Sequence, residues 1–205
     1  MTAAVKRGRK PDPAKDEAIL QAAGDLFLER GYSVSIDDIA AAANVSKQTV
    51  YARFASKEEL FEAVVRAGAD ELVGALFSAG KPERIADALI ALGMRYQDIV
   101  LDPRRVSMQR LLIAQAQQFP DLARRFFEGG PGYVRQRIAD FMRTESANGR
   151  LVIDDAEEAA VHFLGLVKGA DQLAALMDIG DAGDEALRKR KVVRAVEAFL
   201  KIYGA

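Results

Sequence analysis

The 205-residue chain has no cysteine and a single histidine, and these scarcities remove most of the usual catalytic repertoire. Without cysteine there is no disulfide framework, no thiol nucleophile and no thiolate ligand, and a cytoplasmic setting is expected. His162 is the only imidazole, so neither a His-based metal set nor a Ser/His/Asp arrangement is legible. Long apolar runs are also missing, which excludes a spanning helix, and the basic N-terminus is not followed by the apolar stretch of a secretory leader. No segment alternates apolar and polar residues as a half-buried strand does. The run Gly129-Gly130-Pro131-Gly132 has no preceding strand and lacks phosphate-loop spacing, so a helix break is expected there. The pairs Asp37-Asp38, Glu58-Glu59 and Asp154-Asp155 fall in first helical turns, where the helix dipole accounts for them. Asp178, Asp181 and Asp184 lack calcium-loop spacing. No cofactor and no metal are expected, and the chain reads as a non-enzyme.

What is present suits a globular protein with a substantial core: half of the residues are hydrophobic and 29% are charged. The net charge of −1 hides an asymmetry, with a modest basic excess in residues 1–57 and an acidic remainder. Such a distribution fits an N-terminal part that meets phosphate. Residues 1–11 are polar and basic; Arg7-Gly8-Arg9 has the composition of a minor-groove arm, although a solvated tail is the commoner state of a terminus.

The densest local signal lies between Ser35 and Phe61, where three serines each precede a helix start. Ser35 precedes Ile36-Asp37-Asp38, Ser46 precedes Lys47-Gln48-Thr49, and Ser56 precedes Lys57-Glu58-Glu59; a serine at the N-cap satisfies a backbone N–H two or three residues on. A first helix starts at Asp12-Pro13, carries Ile19, Ala22, Ala23, Leu26 and Phe27 on one stripe, and stops at Arg30-Gly31. A second runs from about Ile36 to Ala43, Asn44 makes the turn, and a third opens at Ser46. On the third helix Val50 and Phe54 face inward, while Lys47, Gln48, Tyr51 and Ala52 face outward with Thr49 at the margin. Two short helices joined in this way read as a helix-turn-helix, whose second helix enters the DNA major groove.

The stretch from Asp38-Ile39-Ala40 through Ala43-Asn44-Val45-Ser46-Lys47-Gln48-Thr49-Val50-Tyr51 to Phe54 and Ser56-Lys57-Glu58-Glu59-Leu60-Phe61 resembles the DNA-binding domain of TetR-family transcriptional regulators. Asn44 stands where that family usually has glycine, and the Gly31–Ile39 connection is one residue short of the usual spacing. The resemblance implies that Ser46, Lys47, Gln48 and Thr49 face DNA, with Lys47, Gln48 and Thr49 toward bases. It also implies that Tyr51 and Lys57 hold phosphates and that Ser35 and the arm residues Arg7 and Arg9 add backbone or groove contacts.

Residues 57–205 are expected to be a larger helical domain for effector binding and dimerisation, after the arm (1–11) and the helix-turn-helix domain (12–56). The fold class expected is all-α with about nine helices. Helices are predicted over Lys57 to about Ser78, Pro82 to Leu101, Asp102 to Gln118, a seventh after Pro120 interrupted at Gly129, and an eighth from Asp154, its cap, to Met177. A ninth spans Asp184 to Tyr203. The segment Pro120–Met142 and the Asp154–Met177 helix resemble the C-terminal domain of AefR-like and AcrR-like members. The middle of the eighth helix is apolar almost all round, which demands burial on two sides. His162, Phe163, Gly165, Leu166 and Gly169, with Val192, Val196 and Phe199 of the ninth, are therefore the expected interface of a homodimer. Tyr96, Met108, Leu112, Gln115, Phe127, Tyr133 and Phe141 are candidates to line a pocket for a mainly apolar small-molecule effector without a charged partner. The function these readings imply is a dimeric repressor on palindromic double-stranded DNA, released by that effector. The alternatives are a constitutive DNA-binding dimer and, less favoured, a helical ligand-binding protein or enzyme.

Overall fold

Capping residues and glycines decide where the helices begin and end. The computed structural model describes residues 13–77, 83–179 and 184–205. Among them are eleven α-helical segments and no strand ladder; one isolated antiparallel bridge joins Leu151 and Gly204. The chain forms two compact units, the first ending at Val64 and the second starting at Val65.

In the first unit α1 spans Pro13–Arg30, α2 Ile36–Ala42, α3 Lys47–Tyr51, and α4 begins at Lys57 on its way to Phe77. Asp12, the expected cap of α1, and the arm residues Arg7 and Arg9 lie outside the described residues. Gly31 takes φ +71°, the left-handed value that ends α1, and a 3-10 turn over Gly31–Ser33 completes the connection to α2. Asn44 at φ +52° makes the α2–α3 turn, as its tolerance of that region allows. The core contains Ile19, Ala23, Leu26, Phe27, Val34, Ile39, Val50, Leu60 and Phe61, all nearly or fully buried. Phe27, Tyr32 and Phe61 add a ring cluster with edge-on contacts at 5.3 and 5.6 Å.

In the second unit α4 continues to Phe77, followed by α5 (Ile85–Val100), α6 (Pro103–Gln115), α7 (Pro120–Phe127), α8 (Tyr133–Ala147), α9 (Ala156–Lys168), α10 (Asp171–Leu176) and α11 (Glu185–Tyr203). Two expectations about helix ends are corrected here. The Gly129–Gly132 run does not break the helix: Glu128–Gly132 form one π turn that carries α7 into α8. A side-chain carbon at Gly132 would lie 2.9 Å from the Phe127 carbonyl oxygen, and Pro131 has no N–H to donate, so the chain passes through a wider turn with bare glycine at the crowded point. The eighth predicted helix ends early, at Gly169 (φ +52°), so it is α9 alone and α10 is a separate short helix; α9 is capped by Asp155, which accepts from the N–H groups of Glu157 and Glu158, rather than by Asp154.

The larger core is built by α4, α5, α8, α9 and α11 around Leu89, Leu92, Ile138, Met142, Phe163, Val192 and Phe199. Two polar side chains are buried in this unit with named partners. Gln97 donates to the Val167 carbonyl at 2.8 Å, near the end of α9 where carbonyls lack helical partners, and Glu145 pairs with Arg150. The α10 carbonyls of Ala175 and Leu176 accept from Arg110 of α6, and Gln172 donates to Gln109. Gly93 of α5 lies against Val167 of α9 and Val192 of α11, and an added Cβ would fall 2.8 Å from Val192 Cγ1. Gly93→Ala is therefore expected to destabilise by about 1 kcal/mol or more, since the stiff buried valine must shift by more than helix propensity returns. A lowered urea midpoint at unchanged slope is the measurement that checks it.

Candidate nucleic-acid interface and ligand groove

The reading unit is held by caps that consume the serines. Ser35 caps α2 in a reciprocal box: the Asp38 N–H donates to Ser35 Oγ at 3.1 Å, and the Ser35 N–H donates to Asp38 Oδ2 at 3.2 Å. The Ser35 hydroxyl also donates to that carboxylate at 2.6 Å, so its hydrogen is used within the protein. These bonds hold the Asp38 carboxyl below its ordinary pKa. Ser46 accepts from the Thr49 N–H at 3.1 Å, and the Ser46 and Thr49 hydroxyls lie 2.9 Å apart. Ser56 accepts from the Glu59 N–H, and Glu59 in turn takes the Ala55 N–H at 2.7 Å.

These caps leave Lys47, Gln48, Tyr51 and Ala52 exposed on one side of α3, while Val50 is fully buried on the other and Thr49 lies between. Two ion pairs that sequence reasoning missed frame this helix. Arg53, just past α3, grips both carboxylate oxygens of Asp16 in the first turn of α1, at 2.5 and 2.7 Å. The helix dipole alone accounts for a carboxylate in a first helical turn, so nothing in the sequence marks Asp16 as the partner of an arginine 37 residues on. Lys47 Nζ lies 2.8 Å from Asp37 Oδ2, an exposed pair that raises the lysine pKa. Lys57, at the start of α4, sits with its ammonium 4.3 Å above the Tyr32 ring, and partial burial lowers its pKa. The Glu58 carboxyl is held below its ordinary pKa first by its own backbone N–H and then by the Tyr32 hydroxyl, which donates to it at 2.8 Å.

The arrangement has the features of a helix-turn-helix reader, and comparison with known proteins agrees. Residues 19–64 match the profile of bacterial regulatory proteins of the tetR family, and residues 87–205 match the AefR-like transcriptional repressor, C-terminal domain. The chain belongs to the TetR family. This regulator is similar in structure to a TetR-family regulator from Mesorhizobium loti, at 30% identity over 96% of this chain and all of that one, with a TM-score of 0.80. It is also similar to the flavonoid-responsive regulator FrrA, at 34% identity over 94% of this chain and 98% of that one, with a TM-score of 0.79. Among curated relatives, the transcriptional activator FasR of Mycolicibacterium smegmatis is 40% identical over 36% of this chain and 35% of its own. The repressor Rv3405c of Mycobacterium tuberculosis is 35% identical over 56% of this chain and 60% of its own. The matched stretch thus spans between about a third and three fifths of these two curated proteins. The protein is a DNA-binding transcriptional regulator, and its family is one of regulators rather than enzymes. None of its described helices is long and apolar enough to cross a membrane.

The residues expected at a dimer interface divide into two groups in this TetR-family chain. Phe163, Val192, Val196 and Phe199 are at most 1% exposed within the protomer itself. They pack against one another, with the Phe163 and Phe199 rings 5.5 Å apart, so they are core and cannot form an outer face. His162, Gly165, Leu166 and Gly169 are exposed, together with Val161, and follow one stripe along α9 and its end. A side-chain carbon at Gly165 or Gly169 would meet nothing within 4 Å. Gly169 takes a positive φ at the end of α9, a backbone that favours glycine. His162 Nδ1 lies 2.6 Å from the Tyr203 hydroxyl, which ties α9 to the end of α11.

The expected pocket residues fall in several places among the described residues of the second unit. Tyr96 and Phe141 pack against the main core, and burial pushes the Tyr96 hydroxyl up to about 12. On α6, Leu112 is buried while Met108 and Gln115 are half-buried. Phe127 and Tyr133 do share a groove of about 710 Å³, an open one with Val161 and Gly132. Its lining also contains Arg66, Glu128, Arg135, Glu157 and Glu158, so the expectation of a surface without charged partners does not hold here. Arg66 stacks over the Tyr133 ring at 4.0 Å, and the hydrogen bond between Tyr133 and Asp70 raises the phenol pKa. Placing α7 and α8 on one continuous axis through the π turn is what brings Phe127, Glu128 and Tyr133 to the same groove.

Proposed function

We propose that this regulator acts as a homodimeric repressor that binds a palindromic operator and leaves it when a small molecule occupies the second unit. The observation that carries the DNA-reading part is the exposed N-terminal turn of α3, where Lys47 and Gln48 face outward from a helix fixed by the buried Val50 and the Arg53–Asp16 pair. In this reading Lys47, Gln48 and Thr49 meet base edges, and Tyr51, Lys57 and the helix termini meet phosphates. Arg7 and Arg9 reach the flanking minor groove, outside the described residues. Ser35 and Ser46 act by setting the helix starts, with at most a backbone contribution from Ser35.

Dimerisation through the α9 stripe places two reading helices on one duplex, as half-sites roughly 34 Å apart require. The effector site favoured is the Phe127–Tyr133 groove. FrrA is flavonoid-responsive by description, so a planar polyphenol, with a flat face for the rings and hydroxyls for the charged rim, is the first class to test. Release follows only where that ligand prefers the arrangement that does not bind DNA. Thermal-shift titration with a flavone and flavonol panel, followed by operator displacement, tests it; a shift absent from the whole panel returns the protein to the constitutive reading. The opposite regulatory sign has a specific precedent in FasR, an activator, and transcription from the bound promoter in vitro decides between them.

The phosphate contacts make a separate prediction. Lys57→Ala should weaken operator and scrambled duplexes alike and reduce the slope of log affinity against log salt by about 0.9, one phosphate's share. Tyr51→Phe should weaken both while leaving the slope alone, because a neutral hydroxyl releases no counterion. An unchanged slope for Lys57→Ala removes Lys57 from the phosphate contacts.

A further inference from the structure

Asp37 and Asp38 sit side by side in the first turn of α2, but only Asp38 serves the helix end. The Asp37 carboxylate turns away from the cap and takes Lys47 across the α2–α3 turn, at 2.8 Å. Lys47 is the first residue of α3, and the N-terminal residues of the second helix are those that reach base edges in a helix-turn-helix. An unrestrained ammonium there has no preference between a guanine edge and any phosphate in reach, and the second contact is sequence-blind.

We propose that Asp37 is a specificity-determining residue that positions Lys47 for a base and withholds it from phosphates. An ammonium has three N–H donors. One goes to Asp37, and two remain to meet the O6 and N7 acceptors of a guanine without leaving the carboxylate. The pair carries no net charge, so it adds nothing to the sequence-independent attraction for the duplex. Reaching for a phosphate would exchange one oxyanion for another and leave Asp37 unpaired beside a polyanion, a poor trade. Lys47 is thereby converted from a general DNA contact into a conditional one. This inference rests on the reading of α3 as the base-facing helix.

The test uses the full-length protein with two duplexes: the operator that wild-type protein selects from a random pool, and a scrambled sequence of equal composition. Asp37→Asn should raise affinity for the scrambled duplex about threefold to fivefold, the size of an exposed ion pair, and steepen its salt slope by about one. Operator affinity should change less, so the specificity ratio falls. The gain should vanish in the Asp37→Asn/Lys47→Ala double variant, and Asp37→Ser should repeat it if asparagine perturbs the helix start. An equal rise on both duplexes, or a gain that survives removal of Lys47, overturns the proposal by making Asp37 a general negative charge. If Lys47→Ala alone leaves operator affinity intact, the base-facing reading of α3 falls and the proposal with it. Unchanged thermal unfolding of each variant ties these outcomes to the interface.

Discussion

Phe199→Ala is expected to cost about 3–5 kcal/mol of protomer stability, a large share of what a domain of this kind possesses. The side chain is fully buried, edge-on to Phe163 at 5.5 Å and against Tyr203 at 4.7 Å, so its removal leaves a void between α9 and α11 that rigid neighbours cannot close. Phe199→Asp is worse, since it places a carboxylate among Phe163, Val192 and Val196 with no partner at hand. Denaturant unfolding of the alanine variant should show a midpoint lowered by that amount, and the aspartate variant should yield no folded species of either mass. A folded, monomeric Phe199→Asp protein would return the residue to the outer face on which sequence periodicity had placed it.

That misplacement shows what apolar periodicity conveys. A stripe of Val192, Val196 and Phe199 announces that one side of α11 must leave water, but the pattern does not say whether the covering surface belongs to the same chain. On α9 both sides are apolar, and only the packed structure separates Phe163 and Val167, covered from within, from Val161 and Leu166, left outside. Helix starts were largely legible because a cap is a local bond: Ser35, Ser46 and Asp102 cap the helices that sequence alone started at them, whereas at α9 the cap is Asp155, one residue beyond the expected Asp154. The left-handed residues Gly31 and Asn44 were legible for the same reason. The π turn was not, because proline and three glycines read as a stop unless the crowding at the Phe127 carbonyl is known. On the reading unit the outward residues of α3 followed from its period. The partners Asp16 and Asp37 did not, since each lies on another helix and each already had a local explanation.

The paired substitution Val161→Glu/Leu166→Glu is expected to give a folded monomer that loses about a thousandfold or more in operator affinity. Both side chains are exposed in the protomer, at 49% and 41%, so charges there disturb no core and should move stability by no more than about 0.5 kcal/mol. In a symmetric interface the same stripe faces itself, so each new carboxylate meets apolar surface or another carboxylate on the partner and dimerisation fails. A single reading head then binds one half-site with half the phosphate contacts. Its affinity falls from the nanomolar range typical of specific dimers toward the micromolar range of non-specific binding. Sedimentation equilibrium reads the mass, thermal unfolding confirms the fold, and titration of a half-site duplex should show wild-type and variant heads binding it equally. That equality separates a lost partner from a damaged reader. A dimeric mass for the double variant would remove the α9 stripe from the interface and leave the pairing surface to another part of the second unit.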